Sequence, residues 1–298
     1  MLPRSDDEGA KQRIAEIRKG LREVGLVEGQ HYSLAIRFAN GDLSRWPSLA
    51  QELGALNPRT IVVLGYGATI VHGVLPKVPL VITNFAVDPI KAGYAKSYAH
   101  PGGMITGNVM NAVGGEGSLA QKRIGLFKQL VPDLTRLGMI GVDEGFVGPI
   151  EKEALQKVAA QLGFDLVYYN IRTLDDIEGA FASGQHDNVS AFYFSSDTLL
   201  ANNMSRLIPL VQASRKPTVG PNPEWVRAGL LMSYSTDLAD GWRRAGIYAA
   251  RILNGAVPGD LPFEQASKFT MVVNRKTAQA LGIAIPPAAL AIADEVIE

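Results

Sequence analysis

The chain has 298 residues, with 29 basic against 29 acidic side chains, no cysteine and four histidines. At roughly 100–200 residues per domain this length reads as two domains, and the 47% hydrophobic fraction supplies packed cores and excludes wholesale disorder. Zero net charge excludes the basic excess of a dedicated nucleic-acid binder, and the lack of cysteine excludes disulfides, thiolate zinc sites and a cysteine nucleophile.

Short β-rich runs alternate with helical stretches, the pattern of parallel sheets built from βαβ units. Residues 10–24 place Ile14, Ile17, Leu21 and Val24 at helical spacing, with Gly25 as the helix stop. Residues 33–38 (SLAIRF) alternate as a strand. A helix spans 44–56 with Pro47 in its first turn, where proline is tolerated. TIVVL (60–64) reads as a buried parallel strand closed by Gly65-Tyr66-Gly67. A helix near 68–75, strand 79–83, loop 84–89, helix 90–99 and the short strand 104–108 follow.

A second series of alternations starts at residue 117. Helices at 117–131, 149–162, 174–183 and 198–214 alternate with strands at 136–142, 165–171, 190–195 and 217–220. A helical turn at 223–228, strand 230–235, helix 238–254, strand 269–273 and helix 275–281 close the chain. Two α/β series of this kind imply two doubly wound parallel-sheet lobes, and the absence of a charged or Pro/Ser-rich linker implies several strand crossings between them. Residues 1–112 with 236–266 form the expected first lobe, and 113–235 with 267–298 the second. No full strand precedes the first helix, so the first lobe reads as lacking its opening strand. No apolar run reaches the ~20 residues of a membrane span. The polar start Met1-Leu2-Pro3-Arg4-Ser5-Asp6-Asp7-Glu8 carries no signal peptide, which suits either a cytoplasmic protein or a chain that begins after a targeting segment.

Catalytic and cofactor signatures are weak. Gly65-Tyr66-Gly67-Ala68-Thr69-Ile70 follows a strand and opens a helix, but Ile70 replaces the third glycine of a dinucleotide fingerprint and no acidic residue ends the next strand. The same turn offers free helix-start N–H groups to a small anion such as a carboxylate. His31, His72, His100 and His186 are scattered and form no metal-ligand pair, so neither a cofactor nor a metal is expected. Ligands of open α/β sheets bind beyond the carboxyl ends of the strands. The residues there are Tyr66, Gly67, Ala68, Thr69, Phe85, Asp88, Asp143, Phe146, Ser196, Asp197, Asn222 and Glu224, with Trp225 beside them. Carboxylates, hydroxyls and aromatics together suit a small zwitterion with an apolar side chain. Each residue singly is as well explained by a cap or turn; Asp88 before Pro89 and Asp197 before a helix both fit N-capping.

Several segments carry a family likeness: IRKGLREVGLVEGQH (17–31), RFANGDLSRWPSLAQEL (37–53), the VDP loop (87–89), AHPGGMITGNV (99–109) and KRIGLFKQLVPDLTRLGMI (122–140). The stretch 228–262 and the tail 269–298 continue it, so it runs almost end to end. In these the chain resembles the substrate-binding proteins of ABC transporters, in the TrpX-like group. The resemblance implies a two-lobed periplasmic-binding-protein fold of the first type, with three hinge crossovers and a small ligand in the interlobe cleft. It further implies delivery to a membrane permease without chemistry, a periplasmic or lipid-anchored location, a monomer, and in several relatives an aromatic amino acid as ligand. Carried over by position, the cleft loops match Gly67–Thr69, Asp88, Asp143, Ser196–Asp197 and Asn222–Glu224. Two loops depart from the family pattern. Gly65-Tyr66-Gly67-Ala68-Thr69 stands where G-T-P-A is usual, and Asp143-Glu144-Gly145-Phe146 where Asn-Pro is usual, so the ligand is expected to differ from the relatives'. Relatives also begin with a signal peptide and a first strand, which makes a truncated or misassigned start the simplest expectation. A dimer or strand swap that fills the missing strand's place is the corollary. The alternatives are a cytoplasmic small-molecule sensor of the same fold and, third, an enzyme.

Overall fold

The computed structural model describes residues 8–39, 42–64, 67–85, 88–110, 115–145, 147–201 and 203–298. The chain divides into two compact units, Met1–Ala112 with Asp237–Lys268, and Val113–Thr236 with Phe269–Glu298.

The first unit opens with α1 (Glu8–Glu23), which ends at Gly25 in a left-handed conformation (φ +85°). Then come α2 (Trp46–Gly54), β1 (Ile61–Leu64), α3 (Ala68–Val74), β2 (Leu80–Phe85) and β3 (Ile105–Val109). Its sheet is parallel, in the order β1, β2, β3, and a two-residue strand at Glu264–Gln265 beyond β3. Side-chain alternation divides the core between the two faces of the sheet. Leu80 and Ile82 pack with Trp46, Leu49 and Leu53 on one face, while Val81 packs with Ile17, Leu21 and Trp242 on the other.

Two expected elements of this unit do not form. Residues 33–38 make no strand, because among the described residues no neighbouring strand pairs along them; a pleated pattern without a partner leaves its backbone to water. Residues 90–99 are turns: the chain bends once after Asp88, then Gly93 adopts φ +76°, which a continuing helix cannot accommodate.

The second unit holds α4 (Gly115–Leu130), β4 (Arg136–Gly141), α5 (Gly148–Leu162), β5 (Asp165–Asn170), α6 (Asp176–His186) and β6 (Ala191–Phe194). It continues through α7 (Thr198–Ala201), α8 (Met204–Ser214), β7 (Thr218–Gly220), α9 (Pro223–Arg227) and β8 (Met232–Thr236). The helix α10 (Leu238–Leu253) and the strand β9 (Glu264–Gln265) belong to the first unit. The second unit closes with β10 (Phe269–Asn274), α11 (Arg275–Ala280), α12 (Pro287–Ile292) and β11 (Glu295–Ile297). The sheet order is β11-β10-β8-β7-β6-β4-β5. Five neighbouring strands, β5 to β8, run parallel, and β10 enters antiparallel to β8. The expected wholly parallel sheet therefore holds for the wound part, while the strand returning at Phe269 runs the other way. Phe192, Phe194 and Trp225 fill one face of this sheet, and Phe127, Leu137 and Tyr193 the other. Burial of each such side chain stabilises by roughly 1.5–3 kcal/mol.

Among the described residues, no helix is long and apolar enough to cross a membrane.

Candidate functional site

In the second unit, β4 feeds its crossover toward β5 while β6 feeds its own toward β7, on the opposite side. The winding thus reverses between β4 and β6, where an open α/β sheet leaves a crevice beyond its carboxyl ends. The loops 142–148 and 195–197 flank that point, and two buried carboxylates fasten them.

The first is Glu151, in the first turn of α5 and wholly buried (0% exposed). It accepts from the Ser196 N–H at 3.0 Å, the Ser196 hydroxyl at 2.9 Å and the Tyr193 hydroxyl at 3.1 Å. Arg123 of α4, 1% exposed, pairs with it at 2.8 Å and also donates to the Tyr193 hydroxyl. Its Nε donates to the Tyr234 carbonyl at 2.8 Å, so α4, α5, β6 and β8 share one network. A buried ion pair persists only when further hydrogen bonds satisfy both partners, and Ser196, Tyr193 and the Tyr234 carbonyl supply them.

The second is Asp197, 5% exposed. Its Oδ2 accepts from the Ser195 hydroxyl and, at 3.1 Å, from the Val142 N–H. Burial pushes its pKa up, the hydrogen bonds from Ser195 and Val142 pull against that, and the nearby Glu151 charge raises it further. The loop wraps this carboxylate so closely that a Cβ at Gly145 would lie 2.4 Å from Asp197 Oδ1, and one at Gly148 2.8 Å from Oδ2. Asp197 therefore clasps the loop after β4 instead of capping the helix that follows it.

Asp143 stands at the end of β4 with its N–H donated to Asn170 Oδ1 at 2.9 Å. Its half-exposed carboxylate lies 3.4 Å from Lys152 Nζ, which sits 3.9 Å from the centre of the Tyr168 ring. Burial and the Asp143 charge both raise the Tyr168 pKa. Glu224 lies on the surface beside Arg227, at 4.0 Å, and Arg227 is bound more closely by Glu295, at 2.6 Å. Asn222 differs: its amide oxygen is buried without a hydrogen-bond partner, and so are the hydroxyls of Ser233, Ser235 and Thr236. Since Gly220 pairs with Ser233 across the parallel β7–β8 ladder, Asn222, Ser235 and Thr236 collect at the carboxyl end of these two strands. Buried polar atoms are almost always partnered, so these groups have hydrogen-bonding capacity left to offer.

In the first unit, Gly67 caps α3 and has no room for a side chain: a Cβ there would lie 2.0 Å from the Trp46 ring. Ala68 is buried, while the exposed Thr69 hydroxyl bonds to the Tyr94 hydroxyl. Phe85 is buried against the Tyr94 ring, with centroids 5.5 Å apart. Asp88 Oδ1 accepts from the N–H groups of Ile90 (2.8 Å) and Lys91 (3.3 Å), the capping role expected of it, on a turn in place of a helix. Thr69, Phe85 and Asp88 thus gather around Tyr94 and its turn. Tyr66 and Phe146 lie outside the described residues.

Glu151, Arg123, Tyr193, Tyr94, Tyr168, Ser235 and Thr236 were not among the expected site residues. Glu151 reads in the sequence as an ordinary first-turn helix acid; its one signal is the run Ile150-Glu151-Lys152-Glu153-Ala154-Leu155, where it alone of the two acids shares the apolar face with Ala154 and Leu155. No group of three His, Asp or Glu side chains among the described residues is placed to hold a metal ion.

The family described as ABC transporter substrate binding protein matches residues 6–297. The chain belongs to this family. A tyrosine-binding protein from Clostridioides difficile (strain R20291) is 22% identical to this ABC substrate-binding protein over 264 residues, 88% of this chain and 74% of that protein. The ABC domain from Streptococcus pneumonia solved in complex with L-Trp superposes with a TM-score of 0.82 at 24% identity, covering 99% of this chain and 98% of that one. A ligand-free, open substrate binding protein with adhesive properties from Clostridium difficile gives 0.79 at 20% identity, covering 99% and 97%. At these identities the likeness establishes the fold, that of type I periplasmic binding proteins.

Proposed function

We propose that this ABC substrate-binding protein captures one aromatic amino acid and delivers it to a membrane permease from the extracytoplasmic side, without chemistry. The observation that carries the reading is the set of unpartnered polar atoms at the carboxyl end of β7 and β8. Asn222 Oδ1, an acceptor, suits the ligand ammonium, and the Ser235 hydroxyl suits the carboxylate. Asp143, still half exposed, adds negative potential, whereas Asp197 is committed to the protein itself. Rings stand near the strand ends of each unit: Tyr234 stacked on Phe269 (5.7 Å) in the second, Phe85 with Tyr94 in the first. Both the tyrosine-binding relative and the L-Trp complex support an aromatic ligand.

A thermal-shift screen of the twenty amino acids tests this. L-Trp or L-Tyr raises the melting temperature with concentration, and Asn222→Ala weakens the response at least tenfold while leaving the ligand-free melting temperature in place. A flat response to every aromatic amino acid would sink the reading.

A further inference from the structure

Among the described residues Arg123 is the only basic side chain that is buried, at 1% exposed. Its guanidinium bonds in two directions. Nη1 donates to Glu151 at 2.8 Å and to the Tyr193 hydroxyl, toward β6. Nε donates to the Tyr234 carbonyl at 2.8 Å, on β8. These two strands are not neighbours in the sheet, because β7 lies between them.

β7 is too short to join their ends itself. It stops at Gly220, paired with Ser233, so the Tyr234 carbonyl lies one residue beyond the last β7–β8 pair. On its other flank β7 pairs with β6 at Phe192 and Tyr193, and Ser196 lies three residues further on. The guanidinium therefore spans a gap that the ladder leaves. Each end that it reaches carries a residue of the candidate site. Glu151, the acceptor of Nη1, holds the Ser196 N–H and hydroxyl at 3.0 and 2.9 Å. Ser235, whose buried hydroxyl has no partner, directly follows Tyr234.

Stability alone does not account for this arrangement. Apolar side chains of similar volume often replace a buried ion pair at no cost. What they lack is direction. A guanidinium presents a planar fork that fixes several acceptors at set angles, whereas a lysine ammonium is a compact point charge on a flexible stem.

We propose that Arg123 is a positioning residue of the ligand site, tying the ends of β6 and β8 together so that Ser196 and Ser235 form one rigid rim. It acts through Glu151 on Ser196 and through the Tyr234 carbonyl on Ser235. The ligand's identity rests on the aromatic amino-acid reading; the coupling of the two strand ends rests on the side-chain network alone.

Arg123→Lys keeps a charge opposite Glu151 and loses the fork. Isothermal titration calorimetry of the full chain with L-Trp and L-Tyr shows about tenfold weaker binding, the equivalent of one charged hydrogen bond. Leu130→Val, a core change on the same helix outside the network, is the comparison: it lowers the melting temperature and leaves the affinity as it was. Should Arg123→Lys not fold, the apolar pair Arg123→Met with Glu151→Leu takes its place, with the same loss of affinity expected.

Amide hydrogen exchange of the ligand-free chain reads the coupling without a ligand. Arg123→Lys speeds exchange across both 195–197 and 234–236. Glu151→Gln speeds it across 234–236, a segment that Glu151 reaches through Arg123, as members of one network do.

Parent-like affinity in Arg123→Lys overturns the proposal, and so does an affinity that falls in step with melting temperature in both single variants. Exchange changes confined to the strand end beside each substitution overturn it as well. If the parent binds neither amino acid, the aromatic reading fails by itself, and the exchange pattern alone decides the coupling.

Discussion

Glu151 holds Ser196 twice, accepting its N–H at 3.0 Å and its hydroxyl at 2.9 Å from the opposite side of the point where the sheet winding reverses. One wholly buried carboxylate on α5 thereby sets the conformation of the loop after β6, and Arg123 balances its charge at 2.8 Å.

Glu151→Ala removes one partner of this pair. Loss of about 3–5 kcal/mol of unfolding free energy is expected, the range for breaking a buried ion pair, read from urea denaturation midpoints. A cost below about 1 kcal/mol would show that solvent reaches Arg123 readily, contrary to its burial.

Asp197 separates charge from hydrogen bonding. Its pKa is raised by burial, so its ionised form opposes folding: the stability linked to it is fully present below the unfolded value and is lost as pH rises through the folded one. Asp197→Asn keeps an acceptor for Val142 N–H and the Ser195 hydroxyl while removing the charge. It is expected to match or exceed the parent in stability at pH 7 and to flatten the pH dependence. Asp197→Ala strips the acceptor from both donors and costs about 2–3 kcal/mol. Equal losses for the two variants in denaturant titrations would contradict the assignment.

Asp240 behaves oppositely. Burial alone would raise its pKa, but hydrogen bonds from Arg243, Arg244 and Lys268 outweigh that and hold it at about 2, below the ordinary 3.8. A depressed carboxyl pKa contributes stability that is complete above the unfolded value and disappears as pH falls from about 3.8 through about 2. The parent chain is therefore expected to lose stability across that window, and Asp240→Asn to show a shallower acid limb with a lower plateau at neutral pH. Parallel acid limbs for the two chains, followed by circular dichroism, would reject this.

Gly67 tests the turn before α3. Gly67→Ala forces a methyl group into the Trp46 ring, which is fully buried. A loss of about 1–3 kcal/mol is expected from overpacking, with altered Trp fluorescence as its signature. A neutral substitution would mean that Trp46 yields more easily than its packing indicates.

The alternation of strands and helices was legible because buried parallel strands such as Ile61–Leu64 and Ala191–Phe194 are short apolar runs between amphipathic helices. What escaped depended on partners distant in sequence. Residues 33–38 have a strand's pattern, but pairing is a property of two segments, and the neighbour is lacking among the described residues. The helix expected at 90–99 looked sound by composition, yet one positive φ at Gly93 ends it after a turn. Within the site, the strand-end rule pointed to the loops that carry Asp143, Ser196 and Asn222. It was blind to Glu151 and Arg123, whose roles follow from a pairing across 28 residues of sequence. It equally missed Ser235 and Thr236, since a hydroxyl near the end of a strand gives no sign of whether it finds a partner.

Isothermal titration calorimetry of the full chain with L-Trp and L-Tyr tests aromatic amino-acid capture most directly. Saturable 1:1 binding of at least one of them is expected, with a negative heat-capacity change from burying the ring, and at least tenfold weaker binding by Asn222→Ala. Absence of saturable heat with L-Trp, L-Tyr and L-Phe, from protein shown by circular dichroism to be folded, would contradict capture of an aromatic amino acid.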